Sequence, residues 1–233
     1  MMKHGETAGT MTTVLITGCD TGLGREFALQ YAAAGCSVLA TYRDLANRLP
    51  DPSMRHFALD VTDAAQFAAL KEVLGEAPID LLVSNAGIGL ETDRIGALDH
   101  EHVQRILQTN TLGPLRLVDA LVDNVAASAM RRIVMVSSRM GSIANNLSGG
   151  HYGYRASKAG LHAIGRSLAI DLFPRGITVA MLHPGRVNTA GGGGPDAPLS
   201  AENSVQAMRR TIARMGNHET GVFCNYDGQV IPW

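Results

Sequence analysis

The sequence predicts an α/β protein: a single doubly wound domain whose mainly parallel sheet of about seven strands carries helices on both faces. Three observations predict it. Short apolar runs alternate with helical patterns along the whole chain. The runs LLVS, RIVMVSS and ITVAML are almost continuously apolar, as strands covered on both faces are. The first run ends in a glycine turn that leads directly into a helix pattern. Such alternation builds right-handed strand–helix–strand crossovers.

The first strand is predicted at Thr13–Thr17, inside VLITG, and the first helix at Gly22–Ala34, inside REFALQYAAAG. Strands follow at Ser37–Thr41 and Met54–Ala58, then a helix at Ala64–Leu74 and a strand at Leu81–Ser84. One long helix is expected over Glu101–Ala127. A strand at Arg132–Ser137, a helix at Tyr152–Phe173 and a strand at Thr178–His183 come next. A helix at Ala201–Met215 and a short strand near Gly221–Asn225 close the pattern. Residues 1–11 are polar and expected to be flexible, with a second start-like Met11, so the domain is read as 12–233. Gly191–Gly194 reads either as a plain loop or as a mobile lid.

The chain has 233 residues, long against the prior of about 150 per domain but common for α/β domains. A chain of this size buries roughly 70% of its unfolded surface, enough for a real core. Formal net charge is −1 and no basic stripe is interleaved with aromatics, which argues against a nucleic-acid partner. No apolar run reaches about 18 residues, so no membrane span is expected. Cys19, Cys36 and Cys224 form no C-x-x-C pattern, which points to a reducing cytoplasm rather than a disulfide framework. Cys19 reads as a small filler in the glycine turn.

Two features carry chemistry. Gly18, Gly22 and Gly24 stand in a G-x-x-x-G-x-G pattern between strand and helix. Gly18 would allow a tight turn, Gly22 a close approach to a pyrophosphate, and Gly24 close packing of helix on strand. Free N–H groups at the helix start attract such an anion. The second feature is Tyr154 and Lys158, one turn apart on one helix face. The chain has three lysines against seventeen arginines, so Lys158 marks a place where a slim ammonium is needed. An ammonium about 4 Å from a phenol, at an effective dielectric near 20, contributes roughly 4 kcal/mol. That predicts a Tyr154 pKa lowered by up to about three units, toward the working pH of an acid/base.

The ordered motifs TGCDTGLG, Asn85–Gly87 (NAG), Asn110, Ser137–Ser138, YRASK and Pro184–Thr189 (PGRVNT) resemble the short-chain dehydrogenase/reductases from about Thr12 onward. MGSIANNLSGGHYGYRASKAGL and the ending YDGQVIPW resemble the C-factor-like carbonyl reductase branch. The resemblance implies a Rossmann-type domain and hydride transfer between a nicotinamide cofactor and a carbonyl or alcohol carbon. It implies Tyr154 as acid/base and Lys158 as the residue that tunes it and bonds the nicotinamide ribose. It implies Ser138 at the substrate oxygen and Asn110 ordering a water, although Asn110 also reads as a polar kink. Ser138 precedes Tyr154 by sixteen positions, a longer interval than most of the family has, and Ser142, twelve before Tyr154, is its rival. Cofactor contacts implied are Gly18, Thr21, Gly22, Leu23 and Gly24, with Asp60 and Val61 at the adenine. Asn85, Ala86 and Gly87 would sit by the adenosine ribose, and Pro184, Gly185, Val187 and Thr189 at the carboxamide.

The second strand ends in LATYRD, with Tyr42 where an acid would hold a ribose 2′-OH and Arg43 next to it. Arginine suits a 2′-phosphate, so NADP(H) is favoured over NAD(H); Arg43 as a plain exposed charge and the nearby Asp44 stand against this. No metal site is expected, since His100 and His102 do not share a helix face. Tyr152 lacks a lysine partner, Gly165-x-Ser167 lies inside a helix rather than on a nucleophile elbow, and His183 reads as a strand-end residue. Arg186 stands where the branch has tryptophan, which implies a more polar pocket mouth. The loops Gly89–Glu101 and Arg186–Leu199 would set the substrate. Relatives assemble through the regions Leu98–Ala127 and Tyr152–Phe173, which implies a homodimer or homotetramer. A different class stays open: a dinucleotide-binding signalling protein with little turnover.

Overall fold

Strands β1 (Thr13–Ile16), β2 (Ser37–Tyr42), β3 (Met54–Ala58), β4 (Leu81–Ser84), β5 (Arg132–Val136), β6 (Thr178–His183) and β7 (Val222–Asn225) form one sheet. Their order is β3-β2-β1-β4-β5-β6-β7 and every neighbouring pair is parallel. The structure, a computed structural model, describes residues 11–89, 94–189 and 192–233. Apart from Met11, the N-terminal segment expected to be flexible lies outside the described residues, as do part of the loop after β4 and Ala190–Gly191 of the glycine-rich loop.

Alternate residues of each strand feed opposite layers. Leu15, Leu82, Ile133 and Val179 pack with Phe67 and Leu70 of α2 (Ala64–Leu74), Leu117 and Leu121 of α4 (Gly113–Ala126) and Leu161 of α5 (Tyr152–Leu172). Val14, Ile16, Val83 and Ala180 face the other way, toward Phe27 and Tyr31 of α1 (Gly22–Ala33) and Val205 and Met208 of α6 (Ala201–Arg214). Two helix layers on one sheet explain why these strands are apolar at every position rather than at every second one.

The long helix expected over Glu101–Ala127 is three pieces: α3 (His100–Leu107), a π-helical turn at Gln108–Leu112, and α4. Local chemistry explains the break. Pro114 in the first turn of α4 brings no N–H to continue a regular ladder. Gly113 lies so close to Val61 that a Cβ there would meet Val61 Cγ2 at 2.9 Å. The widened turn carries Asn110, fully buried, inward. Single π turns of this kind recur at functional sites.

After β7 the chain turns back, with Asn225 N–H donating to Gln229 O at 2.8 Å and Ile231 N–H to Phe223 O at 2.9 Å. This tail carries Trp233 onto the rings of His162 and Phe223, 5.4 and 5.6 Å between centroids. No described helix is long and apolar enough to cross a membrane.

Candidate active site

The strand order reverses between β1 and β4, and a cleft opens there at the carboxyl ends of the strands, with a volume of about 2230 Å³. One end is built by the glycine turn. Gly18 and Gly22 take φ of +73° and +57°, a region where other residues are strained. Gly24 sits behind the wall; a Cβ there would strike Gly18 O and come within 2.5 Å of Asn85 Nδ2. The start of α1 is uncapped, because Thr21 makes no side-chain hydrogen bond to it. By contrast, Asp63, Asp99 and Ser200 cap α2, α3 and α6. The first-turn N–H groups of α1 are thus left facing the cleft, beside Thr189, where an anion would satisfy them. A dinucleotide pyrophosphate fits this cradle.

Thr17 and Asn85 lock the cradle to the neighbouring strand. Thr17 Oγ1 accepts from both Asn85 N and Ala86 N at 3.0 Å, and Asn85 Nδ2 donates to Thr17 O at 2.9 Å. Thr21, Leu23, Arg43, Asp60, Val61, Ala86 and Gly87 line the same half of the cleft. Tyr42 is turned into the core, its hydroxyl accepting from Leu49 N at 3.3 Å. Arg43 is exposed and its guanidinium bonds no described residue. Asp44 caps the turn that follows, through Ala46 N at 2.9 Å. The sequence reading passed over Asp20, whose carboxylate accepts from Arg43 N at 3.0 Å and Asp44 N at 3.1 Å and lines the cleft.

The other half gathers Ser138, Tyr154, Lys158, Pro184, Gly185, Val187 and Thr189. Ser138 stands two residues beyond the end of β5; its Oγ accepts from Met140 N at 3.2 Å and is near enough to Tyr154 to favour the ionised phenol. Lys158 is buried, its Nζ donating to Val136 O at 3.0 Å and lying 5.8 Å from the Tyr154 ring centroid. Gly141 makes room for this: a Cβ there would come within 2.8 Å of Lys158 Cβ.

Here the electrostatic expectation is corrected. Burial raises the Tyr154 pKa above its ordinary value of 10.0, and the Ser138 hydrogen bond opposes this only partly. Lys158 has no counteracting effect of note, for it sits over the ring and suffers burial itself, which pulls its own pKa from 10.5 down to about 8. The 4 Å separation assumed from sequence overstated the attraction.

Asn110 stands behind the wall. Its side chain clamps the strand-end loop, accepting from Ile88 N at 2.9 Å and donating to Ile88 O at 3.0 Å, and it also reaches Ser157 Oγ at 3.2 Å. Ser142 does not line the cleft. It is buried and donates to Pro232 O at 2.6 Å, so it ties the Ser138 loop to the C-terminal tail. Ala144 N adds a bond to Trp233 O at 2.9 Å. A further buried pair went unread in the sequence: Ser137 Oγ and His162 Nε2 lie 2.7 Å apart, and burial lowers the His162 pKa to about 4. Cys19 is buried with its pKa raised to about 12, which suits a filler rather than a nucleophile. Among the described residues no group of three His, Cys, Asp or Glu side chains could hold a metal ion.

Comparison with known proteins agrees with this geometry. The family model for short chain dehydrogenase matches residues 12–194. The chain is 42% identical over 156 residues to C-signal of Myxococcus xanthus, covering 67% of this chain and 93% of that protein. It is 31% identical over 229 residues to 1-hydroxy-2-glutathionyl-2-methyl-3-butene dehydrogenase of Rhodococcus sp. (strain AD45), covering 96% and 100%. Among solved structures, carbonyl reductase Sniffer of D. melanogaster superposes with a TM-score of 0.87 at 32% identity, over 96% of this chain and 100% of that one. The NADPH-bound carbonyl reductase from chicken fatty liver gives 0.86 at 28%, over 96% and 94%.

Proposed function

Because the chain belongs to the short-chain dehydrogenases, we propose that it transfers a hydride between NADP(H) and a small carbonyl or alcohol compound. The observation that carries this reading is the convergence of Ser138, Tyr154 and Lys158 at one end of a cleft whose other end is an uncapped helix start. The nicotinamide, when bound, supplies or accepts the hydride. The chain's own residues handle binding and the proton. Gly18, Gly22 and the α1 N–H groups hold the pyrophosphate. Asp60, Val61 and Asn85–Gly87 border the adenosine, and Pro184–Thr189 border the carboxamide. Ser138 Oγ orients the substrate oxygen, and the Tyr154 hydroxyl gives that oxygen its proton or takes it away. Lys158, one turn further along the helix, would bond the nicotinamide ribose through its ammonium. Asn110 fixes the loop at Ile88 and borders the same end of α5 through Ser157.

Arg43, exposed in the cleft with a free guanidinium, supports a 2′-phosphate and hence NADP(H) over NAD(H). Leu115 on α4, Ile170 on α5 and Phe173 just after it are exposed apolar residues, which supports assembly through these helices into a homodimer or homotetramer. Tyr154→Phe should abolish NADPH-dependent reduction of aldehydes, ketones and quinones while leaving NADPH affinity within about twofold. Turnover in that variant would remove the mechanism. Similarity to C-signal supports a second reading, a dinucleotide-binding signalling protein with little turnover. Tight NADPH binding with no reduction across those three substrate types would favour it.

A further inference from the structure

The substrate half of the cleft is basic, although the chain as a whole has a net charge of −1. Arg139, Arg155, Arg186 and Arg105 line it, against Glu101 as the facing described carboxylate. Arg105 lies 3.9 Å from that glutamate. The other three guanidinium groups pair with no described carboxylate. Two are held by neutral oxygens. Arg155 bonds Ser148 Oγ at 2.9 Å and Gly150 O at 3.2 Å, bracing the loop after Ser138. Arg186 bonds Asp196 O at 2.6 Å.

Arg139 differs from both. It follows Ser138 directly, is exposed in the cleft, and its guanidinium bonds no described residue. It faces His183 at the end of β6, and its field helps to keep that imidazole neutral. His183 Nδ1 is buried there with no hydrogen-bond partner among the described residues. A planar, unpaired fork next to the group that orients the substrate oxygen is suited to a second, anionic substrate group. Low-dielectric walls concentrate the field of uncompensated charges in such a cleft.

We propose that the substrates of this enzyme carry a carboxylate in addition to the reacting carbonyl, with Arg139 as its main contact and Arg186 at the rim. This rests on the oxidoreductase reading above and narrows it to a substrate class. The test compares para-carboxybenzaldehyde with its methyl ester in NADPH-oxidation assays. The wild-type protein should favour the carboxylate in kcat/KM by about tenfold, the size of a solvent-exposed charge-assisted pair. Raising ionic strength should shrink that ratio. Arg139→Gln should bring it near one, Arg139→Lys should restore part of it, and Arg139→Glu should invert it. A merely structural arginine would lower both substrates alike and leave the ratio untouched. Equal use of the two aldehydes by the wild-type protein, or an unchanged ratio in Arg139→Gln, overturns the proposal. If neither aldehyde is turned over, the catalytic reading is decided by the wider set of aldehydes, ketones and quinones above, and the anion site by binding. Calorimetric titration of para-carboxybenzaldehyde into the NADP complex of the wild-type and Arg139→Gln proteins then decides the anion site. Weaker binding in the variant supports it, and equal or absent binding overturns it.

Discussion

Replacing Lys158 by methionine should stop turnover yet make the ligand-free protein more stable at neutral pH. Lys158 is only 6% exposed and no described carboxylate pairs with it. Burial alone lowers its pKa from 10.5 to about 8. At about 1.4 kcal/mol per pKa unit, holding that charge costs folding roughly 3 kcal/mol at pH 7. Methionine fills similar space without charge but gives up the 3.0 Å bond to Val136 O. A buried carbonyl left unpaired costs about 1–3 kcal/mol, so the net gain is up to about 2 kcal/mol. For a chain of this size that raises Tm by up to about 8 °C. The pH dependence is the sharper signature. The folded lysine binds fewer protons than the unfolded one between pH 8 and 10.5. The penalty is therefore complete below that window, and wild-type stability recovers as pH rises through it. From pH 7 to pH 10 the variant's advantage should fall by roughly 2–3 kcal/mol, enough to erase or reverse it. Urea unfolding of both proteins at these two pH values measures it, with Trp233, the single tryptophan, as the probe. A gap that is the same at both values would refute the reasoning.

Two further pairs of variants probe the cleft ends. Asp20→Asn should raise the NADPH-over-NADH ratio of kcat/KM severalfold, because its carboxylate lies against the Arg43 backbone in the cleft and would repel a 2′-phosphate held by Arg43. Arg43→Ala should lower the same ratio by a similar factor; if neither variant moves it by more than twofold, this end of the cleft does not read the 2′ position. Ser138→Ala should cut kcat at least a hundredfold with little change in stability. Ser142→Ala should keep most of the turnover and lose about 1–3 kcal/mol of stability, since Pro232 O is left without its donor. The opposite pattern would make Ser142 the residue at the substrate oxygen.

The strands and most helices were legible because two-sided burial writes itself into the sequence as unbroken apolar runs, such as Ile133–Val136. The glycine turn was legible because positive φ and a near-contact between Gly24 and Gly18 leave glycine little competition. The break in the helix around Asn110 was legible only as one of two readings, a polar kink ahead of Gly113 and Pro114, and its π-helical form was not. It depends on Val61, distant in sequence, pressing on Gly113. Asp20 was passed over for a similar reason, since its importance lies in a pairing with Arg43 N and Asp44 N across two loops. The Ser138–Ser142 ambiguity turned on the C-terminal tail, and counting residues back from Tyr154 carries no information about Pro232. Spacing conveys what lies along one element, and these three features each join separate elements.

The corrected electrostatics bear on direction. A phenol whose pKa is raised by burial stays protonated throughout the neutral range, so the ligand-free Tyr154 is set up as a proton donor. Reduction of a carbonyl consumes a proton at the oxygen, and oxidation of an alcohol requires the phenolate. Beside a cationic nicotinamide ring the phenolate gains stability, whereas beside the neutral reduced ring it does not. On the proposed function, the same side chain would be a donor in one half-reaction and an easier acceptor in the other, according to the charge of the bound cofactor. Reduction rates should be flat from pH 6 to 8, because the donor form is already complete there. Oxidation rates should climb with pH over the same range, as the acceptor form grows. Initial rates in both directions over this range, with saturating cofactor, test the argument. A reduction rate that falls steeply below pH 8 as pH rises would mean that Tyr154 ionises early, and that its burial is relieved by something other than the ring's charge.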